Sequence, residues 1–174
     1  TQDAETIGAA TDTATASFAA LFSASPQYGA DGAGTTVVSY ALALNVADGT
    51  DSGLDIDGAQ INLFNVGGVI YGSTTNIAAN AVANAVFSIA VDAAGLVTLQ
   101  QFREIDHALP GVSSNYDAQL STLANGLVNL VATALTTDGD GDTATSTAQI
   151  DLGGNIRFAD HGPSVTVTAG SDAA

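Results

Sequence analysis

The chain has 174 residues, of which 46% are hydrophobic and only 11% are charged. That much apolar material suits a folded core and argues against a disordered acidic tail, because disorder goes with low hydrophobicity. Eighteen acidic residues stand against two arginines and no lysine, so the formal net charge is −16. A phosphate backbone or an anionic membrane surface would repel this chain, and we expect neither nucleic acid binding nor direct membrane insertion.

The shortage of cations raises the question of what balances the carboxylates. Two arginines cannot pair with eighteen acids, so the acids are either solvated or neutralised by divalent cations. Carboxylate oxygens suit hard ions, and extracellular modules bind Ca²⁺ in the millimolar range. The chain has no cysteine, which excludes disulfides and thiolate metal sites. It also lacks methionine and shows no export signal at its start, so we expect a piece of a larger exported protein.

Composition and turn residues predict three parts along the chain. Positions 1–15 are rich in Thr, Ala and Asp and are interpreted as an N-terminal linker. Positions 16–160 are predicted to form one β domain. Positions 161–174 are interpreted as a junction and the start of a next repeat, because Gly162-Pro163 interrupts the chain and Ser164–Thr168 resumes a strand-like alternation.

Alternation of polar and apolar residues predicts half-buried strands at Val38–Val46 and Thr143–Leu152. Regularly spaced strands with turn signals between them indicate an all-β protein, an antiparallel Ig-like β-sandwich. Two segments fit less well. Ile77–Ala85 is compatible with a loop, a short helix or an irregular edge, and Tyr116–Asn125 has the leucine spacing of one short helix. The predicted hairpins are Ala59–Phe64 with Val69–Tyr71, Val86–Val91 with Leu96–Phe102, and Leu127–Leu135 with Thr143–Leu152.

The most specific motif is the acidic loop Asp138-Gly139-Asp140-Gly141-Asp142. Carboxylates at alternate positions, separated by glycine, can curl so that three side chains converge on one ion. The loop is not an EF-hand, because its sixth position is Thr143 and its twelfth is Gln149. A plain polar hairpin turn is the alternative. We predict that Asp138, Asp140 and Asp142 bind Ca²⁺.

Further acidic residues are candidate ligands with less support. Asp48, Asp51, Asp55 and Asp57 form a second cluster, which is either a second ion loop or a solvated acidic loop. Glu5 and Asp160 lie in the connectors, where an ion shared with a neighbouring loop could stiffen a junction.

Signs of catalysis are weak. Glu104, Asp106 and His107 form the one patch that hints at an acid–base site, and a histidine in such a place is more often held structurally by hydrogen bonds. A hydrolase using Glu104 and His107 is therefore a third possibility only. No nucleophile elbow, phosphate loop, zinc-protease helix or dinucleotide fingerprint occurs, so we expect that the protein is not an enzyme. The four tyrosines could line a sugar-binding face or serve in packing.

Five stretches, taken in order, resemble the tandem extender repeats of large RTX (repeats-in-toxin) adhesins that bacteria export by type I secretion. The acidic loop and the Asp-x-Gly-Pro junction are the most specific of them. The stretches are Phe22–Gly34, Asp51–Leu54, Val86–Ile89, Thr137–Thr145 and Phe158–Val165.

The resemblance implies an extracellular module on the bacterial cell surface, in a biofilm adhesin whose partners are neighbouring repeats of the same chain. It implies that Ca²⁺ rigidifies loops and junctions, with Asp138, Asp140, Asp142 and Asp160 as the matching positions. The family has two acids before Gly-Pro, whereas this chain has Asp160-His161, which puts a junction site in doubt. The predicted function is a calcium-stabilised extender that spaces a distal binding region from the cell. The alternative is a calcium-dependent module that binds a carbohydrate or a surface.

Overall fold

Strands make up most of the secondary structure of the computed structural model, which describes Thr1 and residues 11–30, 32–107 and 120–159. The helical segments within these residues are two three-residue 3-10 turns, Ala19–Leu21 and Ala78–Asn80. None of the described helices is long and apolar enough to cross a membrane. The strands are β1 Asp12–Ser17, β2 Thr35–Leu44, β3 Thr50–Ile56, β4 Ala59–Val66, β5 Val69–Ser73, β6 Ala85–Val91, β7 Leu96–Gln101, β8 Leu120–Thr122, β9 Val128–Thr137, β10 Thr143–Asp151 and β11 Arg157–Ala159.

The strands form two main antiparallel layers. One layer is a six-stranded sheet in the order β1-β7-β6-β5-β4-β3, in which β3 to β7 follow one another as hairpins. The facing layer is a three-stranded sheet in the order β10-β9-β2, and β8 pairs with β11 in a separate two-stranded ladder. The predicted antiparallel β-sandwich is confirmed. The three predicted hairpins are also present, as β4–β5, β6–β7 and β9–β10.

The core lies between the layers, because alternate residues of each strand point inward. In β3, for example, Leu54 and Ile56 are buried while Asp51 and Asp55 are exposed. The rings of Phe87 and Phe158 pack with their centroids 5.1 Å apart. Other buried members come from both main sheets and from the segments next to the β8–β11 ladder: Leu42, Ile61, Leu63, Ile70, Val86, Ile89, Leu99, Leu123, Val128, Leu130, Leu152 and Ile156.

The short β8–β11 ladder continues the β9–β10 hairpin beyond an irregular break. The hairpin closes with Leu152 N donating to Val128 O at 2.9 Å, and the next ladder begins with Leu123 N donating to Ile156 O at 3.1 Å. At the break, a Cβ on Gly153 would collide with the neighbouring backbone, so the close approach requires glycine. β10 and β11 therefore run in the same direction along one side of a long hairpin.

Two sequence-based expectations differ from the structure. The predicted linker 1–15 ends too late, because β1 begins at Asp12 and pairs with β7 from Asp12↔Gln101 onward. Its Thr/Ala alternation suits an exposed edge strand as well as a linker. The possible helix at Tyr116–Asn125 is wrong where the structure describes it. Residues 120–122 form β8, and the leucine spacing arises because Leu123 turns into the core where the strand ends.

Other expectations are only partly covered by the described residues. Segment 77–85 contains the 3-10 turn Ala78–Asn80 and then a turn leading into β6, so it is a loop with one short helical turn. Residues 2–10, 31, 108–119 and 160–174 lie outside the description. The remainder of the predicted linker and the predicted junction at 161–174 therefore stay predictions.

The core role of β11 leads to a stability prediction. We expect Phe158→Ala to lower the free energy of unfolding by about 3–5 kcal/mol, because it removes a fully buried ring. Leu21→Ala is the control. Leu21 is 68% exposed, so its replacement should change the free energy of unfolding by less than about 0.5 kcal/mol. Urea unfolding followed by circular dichroism measures both, and Phe158→Leu serves if the alanine variant does not fold. Equal unfolding midpoints for Phe158→Leu and the wild type would place β11 outside the core.

Candidate metal centre

The acidic loop forms the turn between β9 and β10, where the ladder ends at the pair Thr143↔Thr137. Asp138 N donates to Asp142 O at 3.0 Å, and Asp142 N donates to Asp138 Oδ1 at 2.9 Å. These two bonds close the loop on itself. Gly141 has φ +101°, a left-handed conformation that glycine adopts without strain. The alternation of acid and glycine thus lets a five-residue turn curl back on its own first residue.

The turn brings three carboxylates together, as the sequence predicts. One ligand oxygen from each of Asp138, Asp140 and Asp142 lies within 4.8 Å of the other two, with Asp138 half-buried and the others exposed. Ca²⁺ binds oxygens at 2.3–2.6 Å, so two ligands on opposite sides of one ion are roughly 5 Å apart. The three carboxylates therefore fit around a single ion. The remaining ligands of a six- to eight-coordinate Ca²⁺ would be backbone carbonyls and water.

The base of the turn packs against the start of β2. A Cβ on Gly34 would lie 2.7 Å from the Cα of Asp138, so only glycine allows this close approach. Below it, the hydroxyls of Thr36 and Thr136 hydrogen-bond at 2.9 Å, and the Tyr28 hydroxyl lies 3.3 Å from Thr36 Oγ1. A rigid, hydrogen-bonded base thus supports the acidic turn.

The second acidic cluster does not converge. Asp48 accepts a hydrogen bond from Asn65 N at 2.9 Å, and Asp51 accepts from Gln60 Nε2 at 2.7 Å. Asp55 lies on the solvent side of β3 and Asp57 in the β3–β4 turn. Within the described ranges, the three-acid group that could hold an ion is the one in the β9–β10 turn. Strand alternation and local hydrogen bonds separate these acids, so the structure does not bring three of them together as the predicted second ion loop requires.

Two further predicted ligands cannot be placed. Glu5 and Asp160 both lie outside the described residues. A junction site that includes them remains a prediction.

The patch around His107 connects the β3–β4 turn to β11, at the end of the sandwich opposite the acidic turn. The Asp106 carboxylate accepts hydrogen bonds from Asp57 N at 3.0 Å and Gly58 N at 2.8 Å. The two ring nitrogens of His107 lie 2.9 Å from Ile105 O and 3.0 Å from Phe158 O. His107 is thus held by hydrogen bonds, as expected for a structural histidine. The role of Asp106 was missed, although the Asp57-Gly58 turn signals free N–H groups that need an acceptor.

This tether yields a second prediction. We expect Asp106→Asn to lower the free energy of unfolding by about 1 kcal/mol, because an amide offers one acceptor oxygen where the carboxylate uses two. Glu104→Gln is the matched control, since Glu104 is exposed and its replacement removes the same charge. Thermal and urea unfolding of both variants measure the difference. Equal stability of the two variants would contradict the capping role of Asp106.

Comparison with known proteins places the chain in a family. A family model described as a domain of unknown function, DUF5801, matches residues 2–152. No curated protein matches the chain, and no solved structure matches it. The matched region includes both main sheets and the acidic turn, and it covers well over half of the sequence. The chain therefore belongs to the DUF5801 family.

Proposed function

We propose that this chain is a calcium-stabilised structural module of an extracellular bacterial adhesin, a non-catalytic extender that spaces a binding region from the cell. The observation that carries the proposal is the convergence of Asp138, Asp140 and Asp142 within 4.8 Å at the tip of the β9–β10 hairpin. The resemblance of the segment order to RTX adhesin repeats supports the same conclusion.

The charge distribution favours a cation at this tip. Three carboxylates at such distances repel one another, and the chain holds only two arginines. Arg157 lies at the opposite end of the long hairpin, where its Nε donates to Gly154 O at 2.8 Å. A bound divalent ion would replace the repulsion with attraction. An exposed site of three carboxylates belongs with the weak, millimolar Ca²⁺ sites of extracellular modules.

The position of the site suits a stiffening role. Nine residue pairs of the β9–β10 ladder separate the acidic turn from the β8–β11 end, a span of roughly 30 Å. In an array of copies joined end to end, one end of each module would present the ion-bearing turn to its neighbour. Each module would then contact only adjacent copies, and the length of the array would grow with their number.

The competing function, a calcium-dependent carbohydrate- or surface-binding module, has less support. Tyr40 lies on β2 of the three-stranded sheet, while Tyr71 lies on β5 of the six-stranded sheet. Tyr40 and Tyr71 therefore do not belong to one aromatic platform of the kind that stacks on sugars. Sugar-specific, calcium-dependent binding on a glycan array would favour this function over the extender.

Calcium binding at the turn gives the third prediction. We expect millimolar CaCl₂ to raise Tm and EGTA to lower it, because an ion at concentration c that binds only the folded state stabilises it by RT ln(1 + c/Kd), about 0.4 kcal/mol at a concentration equal to Kd and about 1.4 kcal/mol at ten times Kd. Asp140→Asn/Asp142→Asn should abolish the calcium shift. Without calcium this variant should be at least as stable as the wild type, since it relieves carboxylate repulsion.

The control variant is Asp55→Asn/Asp57→Asn, which removes the same charge from the acids that do not converge. It should keep the full calcium shift, and NaCl at equal ionic strength should not reproduce that shift. An equal loss of the shift in both variants would show that calcium acts by general screening. The absence of any shift in the wild type would contradict calcium binding.

A further inference from the structure

One half of the three-stranded sheet extends past the six-stranded sheet. Tyr40 marks the limit, because its ring lies against Gly95 in the β6–β7 turn. Toward the acidic turn, the described residues that face the inner side of the sheet belong to the segment Phe22–Gln27, across a groove of about 330 Å³, and to Tyr28, which reaches Thr36. The floor of the groove is made of small or apolar side chains, among them Val38, Ala134 and Ser146. The groove opens along β10, whose residues from Thr143 to Gln149 are all exposed.

Within the part of the chain that the structure describes, no strand pairs with the outer edge of β10. The bonds of Asp138 N to Asp142 O and of Leu152 N to Val128 O show that even-numbered residues of this strand bond to β9. Thr145, Thr147 and Gln149 therefore direct their N–H and C=O groups away from β9. Such an edge is a template for another strand.

This edge lacks the features that usually prevent pairing. Its ladder with β9 is continuous, without a bulge, and no charge or proline occurs from Thr143 to Ile150. The β3 edge of the other sheet is different, since it carries Asp51 and Asp55 and a register shift between them. Charges and bulges block edge pairing, so β3 is protected whereas β10 is open.

Thr1 pairs with β11 on the side that faces away from β8, and its bonds show the direction of the chain there relative to β11. Its backbone nitrogen donates to Arg157 O at 3.2 Å, and its carbonyl accepts from Ala159 N at 2.9 Å. This is the bonding pattern of a parallel bridge to Phe158. Thr1 lies on the side of β11 that faces away from β8, which corresponds to the open side of β10. The geometry thus favours parallel addition along this edge.

We propose that Ser164–Thr168 of a second copy of this chain adds to β10 as a parallel fourth strand and places Val165 and Val167 in the groove. This segment alternates valine with hydroxyl residues and carries no charge. It can therefore approach an uncharged edge of a protein of net charge −16 without carboxylate repulsion. Its five residues span roughly 17 Å, which the exposed part of β10 accommodates. The proposal deepens the proposed function, on which it rests, because it names the contact between successive copies.

Cysteine cross-linking between two differently tagged full-length chains tests this, since the native sequence has no cysteine. One chain carries Thr166→Cys and the other carries Thr145→Cys, Thr147→Cys or Gln149→Cys. If Val165 and Val167 point into the groove, the side chain of residue 166 points to the opposite face of the sheet, as do those of residues 145, 147 and 149. One of the three pairs would therefore be close enough to form a disulfide without strain. We expect one of the three mixtures to form the mixed disulfide at least tenfold faster than a Val82→Cys control. Val82 is 52% exposed and lies outside β10.

Two changes in the edge itself complete the test. Thr147→Pro removes an outward N–H without removing a bond to β9, and Thr147→Asp adds the kind of charge that protects β3. Each should slow the mixed disulfide of Thr166→Cys with Gln149→Cys or Thr145→Cys at least tenfold. The aspartate variant remains informative if the proline variant does not fold.

The contrary outcomes are distinct. Cross-linking rates equal to that of the Val82→Cys control would overturn the proposal. Faster closure of an intramolecular disulfide in the double variant Thr166→Cys/Thr147→Cys would also overturn it, because the segment in the groove would then be the chain's own. Competition by an added glycan but not by a peptide of residues 162–170 would assign the groove to a sugar. The calcium shift in Tm does not depend on this contact, so its persistence would leave the extender function standing while the strand contact failed.

Discussion

The β9–β10 ladder is the interaction on which the other parts of the fold depend. At one end, Val128 and Leu130 anchor it in the core, and at the other it closes the acidic turn. Its continuation as β8–β11 brings Phe158 against Phe87 and so joins the lower end of the hairpin to the six-stranded sheet. Because one continuous hairpin connects the core to the turn, anything that orders the turn also orders the edge of the sandwich.

Electrostatics explains why the acids are placed as they are. A chain of net charge −16 can fold only if its carboxylates lie in water or receive hydrogen bonds. Most of the described acids meet this condition locally: Asp48 and Asp106 accept backbone N–H bonds, and Asp55 faces solvent from an edge strand. The acids of the β9–β10 turn meet it too, since Asp140 and Asp142 are exposed and Asp138 accepts a backbone hydrogen bond, but their three carboxylates also crowd one another. Repulsion that no nearby arginine relieves is what makes this turn the natural place for a cation.

Much of the fold could be predicted from the sequence, because strands such as β3 and β7 alternate buried and less buried residues and the hairpins carry strong turn residues. The acidic turn could be predicted for the same reason, since Asp-Gly alternation restricts where the carboxylates can go. The failure at Asp48–Asp57 has the same origin. Asp51 and Asp55 lie in β3 and alternate with buried Ser52 and Leu54, so their spacing reflects the period of a strand and not the curl of an ion-binding loop.

Two features of the structure could not be predicted from the sequence, because they depend on contacts between segments that are far apart in the chain. The cap that Asp106 places on the β3–β4 turn joins residues about fifty positions apart, and the groove beside β10 exists only because the three-stranded sheet outreaches its partner. Neither is visible in local periodicity. The short ladder of β8 and β11 was missed for a related reason, because three-residue strands carry too little alternation to be recognised.

The central claim is that the β9–β10 turn binds Ca²⁺, and amide chemical shifts measured during a calcium titration test it most directly. If the turn binds Ca²⁺, the shifts saturate and are confined to residues 137–143 and their neighbours at Gly34 and Thr35, with one ion per chain and half-saturation in the millimolar range. Shifts centred on Asp48–Asp57 instead, or a linear drift across all acidic residues without saturation, would contradict it.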